Sequence, residues 1–288
     1  MQTRHLGDVT VSAIGLGGMP LSIEGRPDRE RALATIHAAL DAGVTLIDTA
    51  DAYHLTATDV GHNESLIAEA LSTWGGDTSD VLVATKGGHL RPGDGSWYVD
   101  GSPEHLRRAL DASLQRLGVE AIGLYQFHRP DPAVPYAESV GVLGEFLDAG
   151  KIRLAGISNA DPDQIREAQT VLGGRLTSVQ NQYSPAFRSS QAELDLCAEL
   201  GLAFLPWSPL GGISRASALG DTHGAFERIA TTHGVSPQQV ALAWDLAQAP
   251  VVIPIPGSSR PATIQDSVRA AELILAPEEI VELDAAAA

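Results

Sequence analysis

The sequence predicts an α/β fold, a single (β/α)8 TIM barrel over residues 1–288, and two observations predict it. Short runs rich in β-branched and apolar residues alternate with amphipathic stretches of helical length, eight pairs in one unbroken series. Most of the strand-like runs are continuously apolar, as strands covered on both faces should be. A doubly wound sheet shares the alternation but needs a G-x-G-x-x-G turn between a strand and a helix. Gly15–Gly18 has a different spacing and leads into a loop.

The elements follow in order. Gln2–His5 and Val9–Ser12, joined by Leu6-Gly7-Asp8, read as a hairpin placed to plug the bottom of the barrel. Strand Ala13–Gly17 precedes helix Arg29–Ala42, Thr45–Thr49 precedes Asn63–Thr73, and Val81–Lys86 precedes Pro103–Leu117. Ile122–His128 is followed by Tyr136–Ala149, Ile152–Ser158 by Asp161–Leu172, and Ser178–Gln182 by Gln191–Leu200. Ala203–Trp207 pairs with Pro237–Ala249, and Val251–Pro256 with Pro261–Ala270. Ser102-Pro103, Asp161-Pro162 and Ser236-Pro237 each supply a capping oxygen and a proline in the first turn. Gly43, Gly118, Gly150 and Gly201 stand just past helix ends, where a left-handed residue closes the last turn. After the seventh strand, Pro209–Val235 exceeds a simple connection and predicts extra helical structure within an extended, partly mobile ligand-side loop. Pro277–Ala285 predicts a last helix.

Composition narrows the function. With 44% apolar and 19% charged residues the chain can build a large core, which excludes global disorder. The net charge of −17 argues against nucleic acid or an anionic membrane as partner. One Cys, Cys197, on the apolar face of its helix, excludes a disulfide framework and reads as core. No metal-ligand spacing such as HExxH occurs, so no metal is expected. No signal-peptide core and no long apolar run is present, so a cytoplasmic location is expected.

In a parallel barrel the chemistry gathers where strands end. Asp48 and Tyr53 follow the second strand, Lys86 closes the third and His128 the fourth, so three adjacent strands bring them to one site. A phenol with an ordinary pKa near ~10 is a poor acid at neutral pH. A nearby ammonium favours its ionisation, and a carboxylate holds that ammonium in place. A neutral imidazole can orient a carbonyl. The set suits proton transfer to an oxygen that gains negative charge, and it has no obvious carbon nucleophile. Taken singly, Asp48 is equally a cap, Tyr53 a packed ring, and His128 a loop histidine. Lys86 taken singly also fits a Schiff-base lysine.

These residues lie in IGLGGM, DTADAY, VLVATKGG, LYQFHRPDP, GKIRLAGISN, VQNQYSP, LPWSPLGG and VIPIPGSSRP, an ordered series that resembles the aldo-keto reductase superfamily over nearly the whole chain. The resemblance implies reduction of an aldehyde or ketone with NADPH, without metal. It makes Tyr53 the general acid, with Lys86 lowering its pKa, Asp48 holding Lys86 and His128 orienting the carbonyl. It implies further that Ser158, Asn159 and Gln180 hold the nicotinamide carboxamide, with Trp207 beneath the ring. Ser208, Pro209, Leu210 and Gly211 would line the pyrophosphate. Gly257, Ser258, Arg260 and Asp266 would face the adenosine end, with Arg260 on the 2′-phosphate. Thr263, Asp266 and Ser267 depart from the family's adenine-side pattern, and Gly257 stands where a Lys is common, so NADH remains possible.

The loops around Tyr53–His62, His89–Asp100, Arg129–Pro132 and Pro209–Gly224 are expected to build the substrate pocket, with His54, His89, Trp97 and Tyr98 as candidate lining. No long C-terminal tail is expected to close over substrate. The partner expected is a small carbonyl compound, in an oligomeric state the sequence leaves open. Two rivals stay beside the reductase: a nicotinamide-bound regulatory subunit with slow turnover, and a lyase using Lys86 as a Schiff-base nucleophile.

Overall fold

Parallel strands wrapped by helices form the framework of a computed structural model that describes residues 1–212 and 224–287. A hairpin of β1 (Thr3–Leu6) and β2 (Val9–Ser12) comes first, turning at Gly7 with φ 61°. The sheet strands are β3 (Leu16–Gly17), β4 (Leu46–Asp48), β5 (Leu82–Gly87), β8 (Ile122–Phe127), β9 (Ile152–Ser158), β10 (Leu176–Gln180) and β11 (Ala203–Phe204). They pair in parallel in the order β11-β10-β9-β8-β5-β4-β3. A small antiparallel ribbon, β6 (His89–Leu90) with β7 (Tyr98–Val99), rises from the loop after β5.

The eighth run closes the barrel without forming a regular strand. Phe204 bridges to Val252 on one side, and Gly17 to Gly257 on the other. Ile253 N donates to Phe204 O, while Gly15 and Gly17 donate to the carbonyls of Pro254 and Pro256. The two prolines have no N–H to return on that side, so half the ladder is missing. This corrects the expectation of a regular strand over Val251–Pro256.

The helices are α1 (Arg29–Asp41), α2 (His62–Thr73), α3 (Pro103–Leu117), α4 (Tyr136–Asp148), α5 (Pro162–Val171) and α6 (Gln191–Leu200). They continue with α7 (Gly224–His233), α8 (Pro237–Gln248), α9 (Pro261–Arg269) and α10 (Pro277–Ala286). Their predicted caps are in place. Ser102 accepts from His105 N and Ser236 from Gln239 N, while Asp161 and Gln164 cap each other's backbone reciprocally. Such a cap contributes about 1 kcal/mol. Gly43, Gly118, Gly150 and Gly201 all have positive φ, between 68° and 85°. The predicted loop Pro209–Val235 is helical at its far end, in α7. Its residues 213–223, including Gly220, lie outside the described residues.

Inside the barrel, Leu46, Leu82, Leu124, Leu154, Leu205 and Ile253 pack with Leu6 and Val11 of the hairpin, which therefore stops the lower end. Between sheet and helices a larger core holds Tyr183, Phe204 and Trp244, with the Tyr183 and Trp244 rings stacked 5.6 Å apart. Cys197 is in this layer, and burial pushes its thiol up to about 12, so it is packing. Gly87 closes β5 as a strand residue. A Cβ there would meet the Tyr125 hydroxyl at 2.1 Å.

Asp245 on α8 is wholly buried with neither carboxylate oxygen hydrogen-bonded. Burial raises its pKa well above the usual carboxylate range, so the folded chain keeps this group protonated where the unfolded chain ionises it. Stability therefore falls as pH rises from the unfolded value toward the folded one. Asp245→Asn is expected to remove that slope and to add more than about 1 kcal/mol in mildly alkaline buffer relative to mildly acidic buffer. Urea denaturation of both proteins in the two buffers measures it; equal slopes would contradict the assignment.

Candidate active site

Because the strands are parallel and in register, their C-terminal ends form one rim. Asp48 ends β4 opposite Ala84 of β5, Lys86 stands opposite Gln126 of β8, and Ser158 of β9 stands opposite Gln180 of β10. A short loop from Asp48 returns Tyr53 to the same rim, and its phenol is 7% exposed.

Lys86 is completely buried, and each of its three ammonium hydrogens has a partner. Nζ donates to Asp48 Oδ1 at 2.6 Å, to Thr49 O at 2.8 Å and to Tyr53 Oη at 3.2 Å. The other Asp48 oxygen accepts from Gln180 Nε2 at 2.7 Å and, more weakly, from Gln126 Nε2 at 3.5 Å. Burial alone would favour the neutral amine, but Asp48 and Tyr53 outweigh it and leave the Lys86 pKa raised.

Lys86 acts on the Tyr53 phenol in the expected direction, but it is not the strongest influence there. Burial is the strongest influence and raises its pKa, the Lys86 ammonium opposes that, and Asp48 and Asp51 reinforce the rise. Lys86 thus moderates the shift without reversing it, and the phenol holds its proton. His128 lies edge-on to Tyr53 with ring centroids 5.9 Å apart. Burial first, then the charges of Lys86, His89 and Arg129, keep its imidazole neutral well below its usual range. Its backbone is fixed on both sides, N donating to Gly87 O and O accepting from Asn159 Nδ2 at 3.0 Å, while Nδ1 has no partner.

Tyr53 and His128 open onto a cavity of about 750 Å³. Ser158, Asn159, Gln180 and Trp207 line it, as do Ser208, Pro209, Leu210 and Gly257. Ser158 Oγ donates to Gln180 O, and Asn159 Nδ2 donates to Ser158 Oγ, so the three predicted carboxamide contacts form one connected group. Asn159 and Ser208 are the two non-glycine residues with positive φ among those described, at 56° and 52°, and both face this cavity. Backbone held in that sparsely populated region is a mark of functional sites. Trp207 is half-buried, and its indole N–H is buried without a partner.

Four predicted coenzyme residues are not among those lining the cavity: Gly211, Ser258, Arg260 and Asp266. Gly211 turns with φ 81° beside it. Ser258 Oγ donates to Arg260 O at the entrance to α9, and Arg260 is exposed there. Asp266 is engaged elsewhere. Its oxygens accept from Ser236 Oγ, Gln239 Nε2 and Arg269, tying α9 to α8.

His89 of β6, Tyr98 of β7 and Trp97 just before β7 also line the cavity, as expected. His54 does not. It is buried away from the cavity with Nδ1 on Thr56 O, and its carbonyl accepts from Arg91. The sequence reading missed the segment after β3, which brings Met19, Ile23 and Glu24 to the cavity. It also missed a buried layer behind the rim, where Glu64 accepts from Thr85 Oγ1 and Arg116 Nε close to the buried Asp51. Among the described residues no cluster of three or more His, Cys, Asp or Glu is placed to hold a metal, and no helix is long and apolar enough to cross a membrane.

Known proteins share this architecture. The family model described as the aldo/keto reductase family matches residues 13–288. A 6-dehydroglucose reductase of Novosphingobium aromaticivorans is 36% identical, covering 93% of this chain and 89% of its own. Pyridoxine 4-dehydrogenase of Escherichia coli is 33% identical, covering 98% of this chain and 97% of its own. The crystal structure of an aldo/keto reductase from Klebsiella pneumoniae in complex with NADP and acetate superposes with a TM-score of 0.82 at 26% identity, covering 99% and 95% of the two chains.

Proposed function

The chain belongs to the aldo/keto reductase family, and from that premise we propose that it reduces an aldehyde or ketone to the alcohol with a nicotinamide coenzyme, Tyr53 supplying the proton. The observation that carries this reading is the Lys86 ammonium shared among Asp48, Thr49 O and Tyr53 Oη beneath an open cavity.

The residues present fit such a coenzyme. Gly17 and Gly257, both at the cavity, leave no room for a side chain: a Cβ on Gly17 would sit 2.7 Å from Ile255 O, and one on Gly257 2.7 Å from the Pro20 side chain at Cγ. Trp207 offers a ring face, and Ser158, Asn159 and Gln180 offer amide and hydroxyl groups suited to a carboxamide. Ser258, Ser259 and Arg260 precede the positive end of α9, suited to a phosphate. Related aldo/keto reductases have been crystallised with NADP and with NADPH, which supports NADPH here, NADH being the alternative.

When bound, the reduced coenzyme supplies the hydride. This chain's residues do the rest. His128, neutral, donates to the carbonyl oxygen and holds it near Tyr53 Oη. As that oxygen gains charge, Tyr53 passes it the phenolic proton. Lys86 stabilises the phenolate left behind, and Asp48 keeps Lys86 charged. In the oxidative direction the Tyr53 phenolate takes the proton back. A Schiff-base role for Lys86 fits poorly with an ammonium whose donors are all engaged, and an assembled proton-transfer set argues against a purely regulatory subunit.

Arg260 tests the coenzyme assignment. Its side chain is exposed and makes no ion pair. Arg260→Ala is expected to raise the NADPH Kd by about tenfold, the size of a lost charge-assisted contact, and the NADH Kd by less than about twofold. Fluorescence titration with each coenzyme reads both constants; equal effects would place Arg260 away from the 2′-phosphate.

A further inference from the structure

Among the described residues, the charges lining the active cavity do not cancel. Asp48 is neutralised by Lys86. Glu24 is paired with Arg91, whose guanidinium also lies over the Trp97 ring, 4.7 Å from its centroid. Tyr53 keeps its proton, His128 is neutral, and burial followed by the Arg129 charge brings His89 down to about 4. What remains is Arg129.

Arg129 is the one Lys or Arg among the described residues lining the cavity, and it makes no ion pair there. Its hydrogen-bonding partner is a neutral amide oxygen, with NH2 3.3 Å from Asn159 Oδ1, and its Nε is buried with no partner. In a chain with 36 acidic residues against 19 basic ones, a guanidinium left without a carboxylate inside a cavity stands out. The acidic residue nearest in sequence is unavailable. Asp131 turns both oxygens to backbone N–H groups of Gly101 and Ala133. Arg129 lines the same cavity as His128 and His89, and its charge acts on both imidazoles, so a group held by it lies near the carbonyl that His128 would orient. His89 and Trp97, stacked with ring centroids 4.7 Å apart, add a flat aromatic surface to that cavity.

Resting on the carbonyl-reductase reading, we propose that this enzyme's substrates are carbonyl compounds bearing a carboxylate, and that Arg129 is the specificity-determining residue that holds it. The carboxylate supplies the counter-charge that Arg129 lacks, and a guanidinium accommodates it through two parallel hydrogen bonds.

The test compares ortho-, meta- and para-carboxybenzaldehyde with their methyl esters, which keep the shape and remove the charge. In the wild-type enzyme with NADPH, at least one acid is expected to exceed its ester in kcat/KM by about tenfold or more. Arg129→Gln is expected to lower kcat/KM for that acid at least about tenfold more than for the ester, with Arg129→Lys falling between. If no acid is preferred by the wild type, the proposal is overturned. If acid and ester fall in parallel in Arg129→Gln, Arg129 acts by positioning Asn159 and the proposal is likewise overturned. Binding of benzoate to the coenzyme complex, followed by tryptophan fluorescence, reads the same subsite without turnover. Weakened benzoate binding in Arg129→Gln supports it even if no aldehyde is reduced, an outcome that would defeat the reductase reading alone. Benzoate binding unchanged by the substitution would overturn it.

Discussion

Tyr53→Phe is expected to lower kcat by about a hundredfold to ten-thousandfold, the range of a positioned general acid, while the coenzyme Kd shifts by less than about twofold. The substitution deletes one oxygen from a buried ring. Lys86 loses the longest of its three contacts, at 3.2 Å, and keeps Asp48 and Thr49. The fold has little reason to respond, since the ring stays packed between Ile23 and Ala50. The loss should therefore appear in the chemical step: single-turnover kinetics with saturating coenzyme would show slowed reduction after unchanged binding. A variant that turns over at the wild-type rate would remove Tyr53 from the reaction.

Lys86→Met is expected to damage both activity and stability, and the two can be separated. Removing the ammonium leaves Asp48 3% exposed and without its counter-charge. Breaking a buried pair on one side costs about 3–5 kcal/mol. That is a large share of the roughly 5–15 kcal/mol that holds a typical domain together. The double variant Asp48→Asn/Lys86→Met removes both charges and should recover much of the stability while staying about a hundredfold or more below wild type in kcat. The sign of the pH dependence is fixed. A lysine whose folded pKa is raised contributes fully below its unfolded value and loses that contribution only as pH climbs through the folded one. The stability gap between wild type and Lys86→Met should therefore be constant through neutral pH and shrink only in strong alkali. Urea denaturation of the three proteins measures it; a single variant as stable as wild type would contradict the buried pair.

Much of this architecture is legible locally. Ser102, Asp161 and Ser236 announce helix starts because a capping oxygen acts within three residues, and the helix-ending glycines act within one turn. The convergence of Asp48, Lys86 and His128 was legible because strand ends in a parallel barrel meet at one rim, so it needed only correct strand assignments. What escaped depends on distant partners. The eighth strand fails on Pro254 and Pro256, whose missing hydrogens matter only against Gly15 and Gly17 far along the chain. Asp266 lies in sequence where the adenosine end was expected, yet Ser236 and Gln239, some thirty residues earlier, claim its carboxylate. His54 was expected at the cavity because it adjoins Tyr53, but its ring turns to Thr56 O instead. The unpaired state of Arg129 has no sequence signal at all, since it depends on where every acidic side chain points. The direction of the Tyr53 shift was also hidden, because spacing gives its charged neighbours but not its burial.

The most direct measurement of the central claim is isotope transfer. Wild-type enzyme would be incubated with benzaldehyde and NADPH carrying deuterium at the transferable position of its nicotinamide ring, and the product analysed by mass spectrometry and NMR. Benzyl alcohol is expected with one deuterium on the carbinol carbon, and with a hydroxyl proton that comes from solvent through Tyr53. Coenzyme consumed with no deuterium in the alcohol, or no alcohol from any aldehyde or ketone tried while the coenzyme binds, would contradict it.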